Sequence, residues 1–398
     1  MIRHVLKIVW NRKRANALIV LEIFLSFLVL FAVLTLASAL LGSVRQPLGF
    51  EWQNVWNVSI ENDGSPAAEA ASERRESIDM VMRELRNMPE VVAVGASMTP
   101  PYSMSAMEGT WVINGKNIFV TQDSVTDGFA EVVKLKVLSG RWFGPQDDAA
   151  NYMPVVIDED AARAVYGEES PIGRKFDAGS EREMRVVGIV ARYRKTGEFA
   201  NFGKPVNMIF KRASAAKGDA LPADLLIRLR PGTRASFEQT LMSRLNEVAP
   251  QMNFRIRQMT AMRRFSHRTA LFPLVALGLI AGFLIVMVVL GLSGVLWQNV
   301  TRRMREIGLR RAIGATGPAV QRQIVAEVVM LTSLAVIVGL LLVSQLPILG
   351  LLTLITPGAY LGGIAASLAA IYGLTVLCAM YPGWLASRVQ PAHALHYE

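Results

Sequence analysis

The sequence predicts a polytopic α-helical membrane protein with four transmembrane helices and a large α+β extracytoplasmic domain. Three observations predict it. Four apolar runs, roughly 17–42, 271–297, 324–346 and 359–384, are long enough to cross a bilayer. Residues 44–270, between the first two runs, mix alternating and helical patterns. Basic residues crowd the short segments that face one side of the membrane.

The elements follow in chain order. Residues 1–16 place Ile2, Val5, Leu6, Val9 and Trp10 at helical spacing, with Arg3, His4, Lys7, Asn11 and Arg12 between them. This is the pattern of an amphipathic helix in the membrane interface, or of a plain cytoplasmic extension of the first span. The first span, 17–43, has an apolar run, 17–42, that gives about 39 Å of helix against a hydrocarbon core of about 30 Å. Its basic start and Ala37-Ser38-Ala39 resemble a signal peptide, but the apolar run is too long for one.

The external domain, 44–270, has edges that look alike. Val55–Ile60 reads as a strand, Ile78, Val81, Met82 and Leu85 as a helix face, and Val91–Val94 as a second strand. Near the end, Leu225–Leu229, then Phe237, Leu241, Leu245 and Val248, then Phe254–Arg257 repeat that order. Two βαβ units around an insertion suggest a split ferredoxin-like subdomain, 50–108 with 216–260. The β-rich insertion, 109–215, holds one short helix around Glu159–Tyr166 and turn signals at Asn114-Gly115 and Ser139-Gly140.

The second span is 271–298, the third 318–346 and the fourth 359–384, which Pro382 is expected to break. The link 347–358 carries no Lys or Arg, whereas Arg302, Arg303, Arg305, Arg310, Arg311 and Arg322 lie between spans two and three. Both termini, the 299–317 loop and the tail 385–398 therefore face the cytoplasm. Arg263, Arg264 and Arg268 oppose the rule, although long translocated domains largely escape it.

Composition narrows the function classes. Hydrophobic residues make up 52% and charged residues 19%; mean hydropathy is +0.32. These values exclude a disordered, collagen-like or disulfide-stapled chain and argue against an ordinary soluble enzyme. The single cysteine, Cys378, leaves the external residues without a disulfide. The 42 basic and 32 acidic residues give +10, read here as anchoring charge at a membrane with no nucleic-acid partner.

Catalytic chemistry is missing. No G-x-x-x-x-G-K-[ST], G-x-S-x-G, H-E-x-x-H or C-x-x-C occurs, so no nucleotide, cofactor or metal site and no catalytic residue is assigned. His393 and His396 read as solvated tail histidines. Asp147-Asp148 and Asp158-Glu159-Asp160 read as loop and helix-start charges. Glu22 and Glu327, near span ends, read as anchors that reach the interface or a basic neighbour.

The strongest local signal is Arg302-Arg303-Met304-Arg305-Glu306-Ile307-Gly308-Leu309-Arg310-Arg311-Ala312-Ile313-Gly314-Ala315-Thr316. Glu306 and Arg310 stand at i, i+4 in the favourable order, worth about 0.3–0.5 kcal/mol on a helix. Met304, Ile307, Leu309, Ala312 and Ile313 leave an apolar strip among the charges, and Gly314–Pro318 ends the helix. Such a segment suits a groove in a partner protein; anionic headgroups neutralising a basic loop are the other reading.

This stretch, with Gln323 and Glu327, resembles the loop of MacB/FtsX-type permeases of ABC transporters. Glu131-Val132-Val133-Lys134-Leu135, Ser139–Phe143, Val155–Ile157, Pro171–Lys175 and Arg185–Val190 are similar to that family's external-domain signatures. Pro391–Glu398 resembles its C-terminal tail. The resemblance implies a non-catalytic permease subunit of an exporter in a bacterial inner membrane. It further implies that Arg302, Arg303, Arg305, Glu306, Ile307, Gly308, Leu309, Arg310, Arg311 and Gly314 form a coupling helix on the ATPase. Expected partners are an ABC ATPase dimer that binds ATP and Mg, and a second permease, same chain or paralogue. A periplasmic adaptor and an outer-membrane channel join them in a two-membrane cell, along with membrane lipid. With 16 residues before the first span, the ATPase is expected in trans. Family members work by mechanotransmission. The rival expectations are an FtsX-like signalling subunit controlling a cell-wall hydrolase, and a lipoprotein-release permease.

Overall fold

The computed structural model describes residues 13–61, 68–176, 183–199, 206–302, 309, 313, 316–350 and 355–387. Residues 1–12 of the proposed interfacial helix over 1–16, and the tail histidines His393 and His396, lie outside them. The chain divides into two units, 43–270 and 1–42 with 271–398.

In order the elements are α1 (Lys13–Val44), β1 (Val55–Glu61), α2 (Ala68–Asn87), β2 (Val91–Ser97), β3 (Met107–Ile113) and β4 (Lys116–Val125). Then come α3 (Phe129–Val133), β5 (Val137–Gly140), β6 (Met153–Asp158), α4 (Glu159–Tyr166), β7 (Lys175–Phe176), β8 (Met184–Val190) and β9 (Met208–Arg212). The chain closes with β10 (Asp224–Leu229), α5 (Phe237–Val248), β11 (Asn253–Gln258), α6 (Met259–Arg302), α7 (Gly317–Val343), α8 (Gln345–Ile348) and α9 (Pro357–Ser387).

Among the described residues, the strands of unit 43–270 form one eleven-stranded sheet. Its first part runs β11-β1-β10-β2, all antiparallel, so the two sequence-distant βαβ units interleave as a split ferredoxin-like unit does. Ile78, Val81, Met82 and Leu85 of α2 and Phe237, Leu241 and Leu245 of α5 bury against Trp56, Val58, Ile60, Leu225 and Ile227. Alternation along β1 and β10 and i, i+3, i+4 spacing on the helices put these side chains on facing surfaces. Each fully buried large side chain contributes about 1.5–3 kcal/mol.

A single pairing, Ser97 with Val125, joins β2 to the inserted half, where the order is β4-β9-β6-β8-β5. Asn114 and Gly115 both take left-handed φ, 49° and 77°, and close the β3–β4 hairpin as a two-residue turn. The carboxylate of Asp158 accepts the Ala161 N–H at 2.9 Å, which caps α4. Two features differ from the sequence expectation. Ser139-Gly140 is no free turn but the end of β5, where the β5–β8 register shifts. A further helical turn, α3, sits over the sheet, stopped by Lys134 at φ 50°.

Four candidate membrane spans lie along α1, along α6, across α7 and α8, and along α9: Ile19–Val44, Met259–Gly294, Gly317–Ile348 and Pro357–Met380. Ile23, Phe27 and Phe31 of α1 pack with Val288, Val328, Ala335, Val336 and Ile371. Contacts are close where glycine leaves room: a Cβ on Gly339 would stand 2.5 Å from the Phe27 ring, and one on Gly363 1.9 Å from Thr35 Oγ1. Pro382 does not end the fourth helix, which continues to Ser387. Proline removes one backbone donor, a loss that helices in membranes tolerate.

Candidate functional site

The sequence placed the functional segment in the 299–317 loop, and only part of it can be described. Arg303, Arg305, Glu306, Ile307, Gly308, Arg310, Arg311 and Gly314 lie outside the described residues, and Arg302 is described only as the last residue of α6. Leu309 and Ile313 are described. The Ile313 N–H donates to the Leu309 carbonyl at 3.1 Å, one helical turn, and both side chains are exposed.

The densest functional geometry lies elsewhere, in residues 192–199 of the external unit. This stretch follows β8 and forms no regular element, yet Tyr193, Arg194, Lys195 and Glu198 are all buried. Arg192 begins it with two bonds to the Asp160 carboxylate, at 2.5 and 2.6 Å. Tyr193 packs into an aromatic cluster, 5.3 Å from Phe50 and 5.1 Å from Phe210, centroid to centroid. Burial pushes its hydroxyl pKa up, and that hydroxyl has no hydrogen-bond partner among the described residues.

Arg194 is dissolved in oxygen atoms. Its guanidinium donates to the Ser43 carbonyl at 2.7 Å, to the Glu198 carbonyl at 2.7 Å, to the Gln46 carbonyl at 3.3 Å and to Ser43 Oγ. Its backbone N–H donates to the Leu48 carbonyl at 2.9 Å. A buried cation is tolerable only with its donors satisfied, and burial still lowers its pKa. Gly49, at φ 81°, lets the chain pass: a Cβ there would stand 1.8 Å from the Arg192 carbonyl oxygen.

Lys195 donates to the Ser105 carbonyl, and its own carbonyl accepts the Tyr102 N–H at 2.9 Å. Burial lowers the Lys195 pKa to about 8, with Asp123 and Glu108 opposing. Asp123 is fully buried and accepts from Ser97 Oγ at 2.5 Å and the Thr99 N–H at 3.0 Å. Burial raises its carboxyl to about 7 against those bonds and Lys195.

Glu198 closes the arrangement. One carboxylate oxygen accepts from Arg263 Nε at 2.7 Å; the other lies 2.7 Å from His267 Nε2 and accepts the Tyr102 hydroxyl at 3.3 Å. Burial alone would raise this carboxyl, but the bonds from His267 and Arg263 outweigh it and hold it below the ordinary value. Arg263 also lies over the Trp52 ring, 4.5 Å from its centroid, and Phe199 meets His267 edge-on at 4.8 Å. Gly197 at φ 93° allows the Tyr102 ring to approach, where a Cβ would stand 2.4 Å away.

Comparison with known proteins bears on what this geometry serves. Residues 17–243 match the family model of the MacB-like periplasmic core domain, and residues 278–391 that of the FtsX-like permease C-terminal region. The chain belongs to the MacB/FtsX-type ABC transporter permeases.

Among its relatives is the uncharacterized ABC transporter permease YknZ of Bacillus subtilis (strain 168), 24% identical over 84% of this chain and 82% of that protein. The macrolide export ATP-binding/permease protein MacB of Bdellovibrio bacteriovorus is 25% identical over 65% of this chain. The match covers 41% of that longer protein. The crystal structure of the periplasmic region of MacB from Actinobacillus actinomycetemcomitans covers 56% of this chain at 16% identity. Its TM-score is 0.39.

In this permease the acidic clusters serve structure. Asp147 binds Arg141 at 2.6 and 2.8 Å, and Asp148 with Asp127 holds the buried Arg212. Residues 192–199 escaped sequence analysis because Arg-Tyr-Arg-Lys-Thr-Gly-Glu-Phe has no period and reads as a solvated loop. Arg263, which opposed the charge rule, was the available signal: a cation in an unexpected place has an acidic partner.

Proposed function

We propose that this permease is the membrane subunit of an ABC exporter working by mechanotransmission in a bacterial inner membrane. An ATPase on a separate chain grips the 299–317 loop, the spans move as levers, and the external domain on the far side responds. Both termini share the cytoplasmic side with that loop, and two permeases meet two ATPase subunits. In a two-membrane cell an adaptor and an outer-membrane channel complete the route. The names of the MacB relatives make a macrolide-like organic molecule the first cargo to try.

One observation carries this reading. Among the described residues, hydroxyls of the third and fourth spans turn back onto their own helices: Thr332 to the Val328 carbonyl at 3.0 Å, Ser333 to Val329 at 2.8 Å and Thr375 to Ile371 at 2.7 Å. Hydroxyls bonded in this way have their donors satisfied without water, which supports spans that transmit motion over spans that conduct cargo.

The test is copurification followed by hydrolysis. A tagged chain should retain an ABC ATPase, and Glu306→Lys and Gly308→Trp should each abolish permease-dependent ATP hydrolysis while the spans stay folded. No ATPase retained, with or without nucleotide, or unchanged hydrolysis in both variants, refutes the coupling.

A further inference from the structure

We propose that residues 193–199 are a strap that ties together the two places where the chain joins the external unit, with Glu198 as its positioning residue. The incoming segment is 43–49 and the outgoing segment 263–267, more than two hundred residues later in sequence. Arg194 binds the first through Ser43, Gln46 and Leu48. Glu198 binds the second through Arg263 and His267, and the Ser266 hydroxyl adds a bond to the Thr196 carbonyl at 3.3 Å. Ser43 Oγ donates to the Glu198 carbonyl at 2.6 Å, so the two grips share a residue.

The chemistry of the strap makes it a switchable coupling instead of a soft loop. Arg194 is 2% exposed and Glu198 8%. Sliding either group by one bond length strands a buried charge, which is costly, so intermediate positions are disfavoured and discrete arrangements remain. The strap is also the direct continuation of β8, and Lys195 and Tyr102 bond it to the loop that leads into β3. A displacement of either joining segment is thereby delivered to the inserted half, through covalent chain on one side and Tyr102 on the other. The ferredoxin-like half also meets the inserted half at the β2–β4 pairing, where Ser97 and Thr99 bond Asp123, and at the core around α3.

What the strap transmits rests on the permease reading above, and the experiment separates the two. The full chain with its copurified ATPase is placed in nanodiscs, Cys378→Ser, with spin labels at Met80→Cys on α2 and Val112→Cys on β3, both exposed positions. Distances are read without nucleotide and with ATP and vanadate. The otherwise unsubstituted complex should shift its distance distribution on trapping. Glu198→Ala should hydrolyse ATP and lose the shift. Glu198→Gln, which keeps a hydrogen-bonding oxygen, should restore part of it; a merely structural role moves hydrolysis and shift together. His267→Phe removes one partner only and should weaken the shift if Glu198→Ala does not fold. A full shift in both Glu198→Ala and His267→Phe overturns the strap and leaves the permease reading standing. Failure of the unsubstituted complex to hold ATPase or to shift overturns both, and is seen before any strap variant is made.

Discussion

The external unit and the membrane unit solve the problem of buried polarity in opposite ways. The external unit buries Asp123, Asp158, Arg194, Lys195, Arg212 and Arg228 and bonds each to groups elsewhere in the chain, leaving Asp158 Oδ2 without a partner among the described residues. The membrane unit, among the described residues, buries only hydroxyls such as Ser26, Thr35, Thr332 and Thr375, two of which bond their own helix and two of which have no partner. The difference teaches where specificity sits. Charge networks fix one arrangement of loops, whereas apolar helices with glycine contacts can re-pack at small cost.

Three measurements break or sharpen that comparison. The largest effect is expected for Arg212→Ala, which leaves Asp127 and Asp148 facing each other without their cation. Denaturant unfolding of the full chain in detergent should show a loss of about 2 kcal/mol, because both carboxylates stay 34% exposed. A near-zero loss would mean that the buried charges of the external unit are ornamental.

A smaller effect comes from pH. The Asp123 carboxyl is raised to about 7, so between the ordinary carboxylate range and pH 7 the folded state holds a proton that the unfolded state has released. Stability from this group is full at acid pH and declines as pH rises through that window. Asp123→Asn should remove about one proton's worth of that decline, read as a flatter plot of unfolding midpoint against pH from 4 to 8. Glu198 has the opposite sign: its pKa is depressed, so its contribution is lost as pH falls below the ordinary carboxylate value. An unchanged slope in Asp123→Asn would place the acid elsewhere.

The smallest effect is expected in the membrane unit. Thr332→Val removes a bond to its own helix and one to Thr375 at 3.2 Å. The cost should stay near 0.6 kcal/mol in a reversible unfolding assay in bilayers, about the mean for such bonds. A loss several times larger would show that these hydroxyls hold the spans together as the ion pairs hold the external unit.

Legibility followed the same division. The spans, the paired βαβ units, the Asn114-Gly115 hairpin and the Glu159–Tyr166 helix were all readable, because run length, period and turn chemistry are local properties. The one-turn helix Phe129–Val133 was not, since five residues contain too little pattern. Pro382 misled because a helix-breaking rule from water was applied to a helix with other options. Of the expected coupling residues, only Leu309 and the neighbouring Ile313 have described side chains, and both stand exposed.

The sequence by itself determined that this chain has four spans and that a mixed α/β domain is inserted after the first, because apolar length and periodicity add up along the chain. Only the tertiary structure decided that an unpatterned loop at 192–199 is a buried junction. Arg194 meets Ser43 across 151 positions and Glu198 meets His267 across 69. Whether a charge is solvated or buried depends on what the fold brings beside it, and no local pattern encodes that.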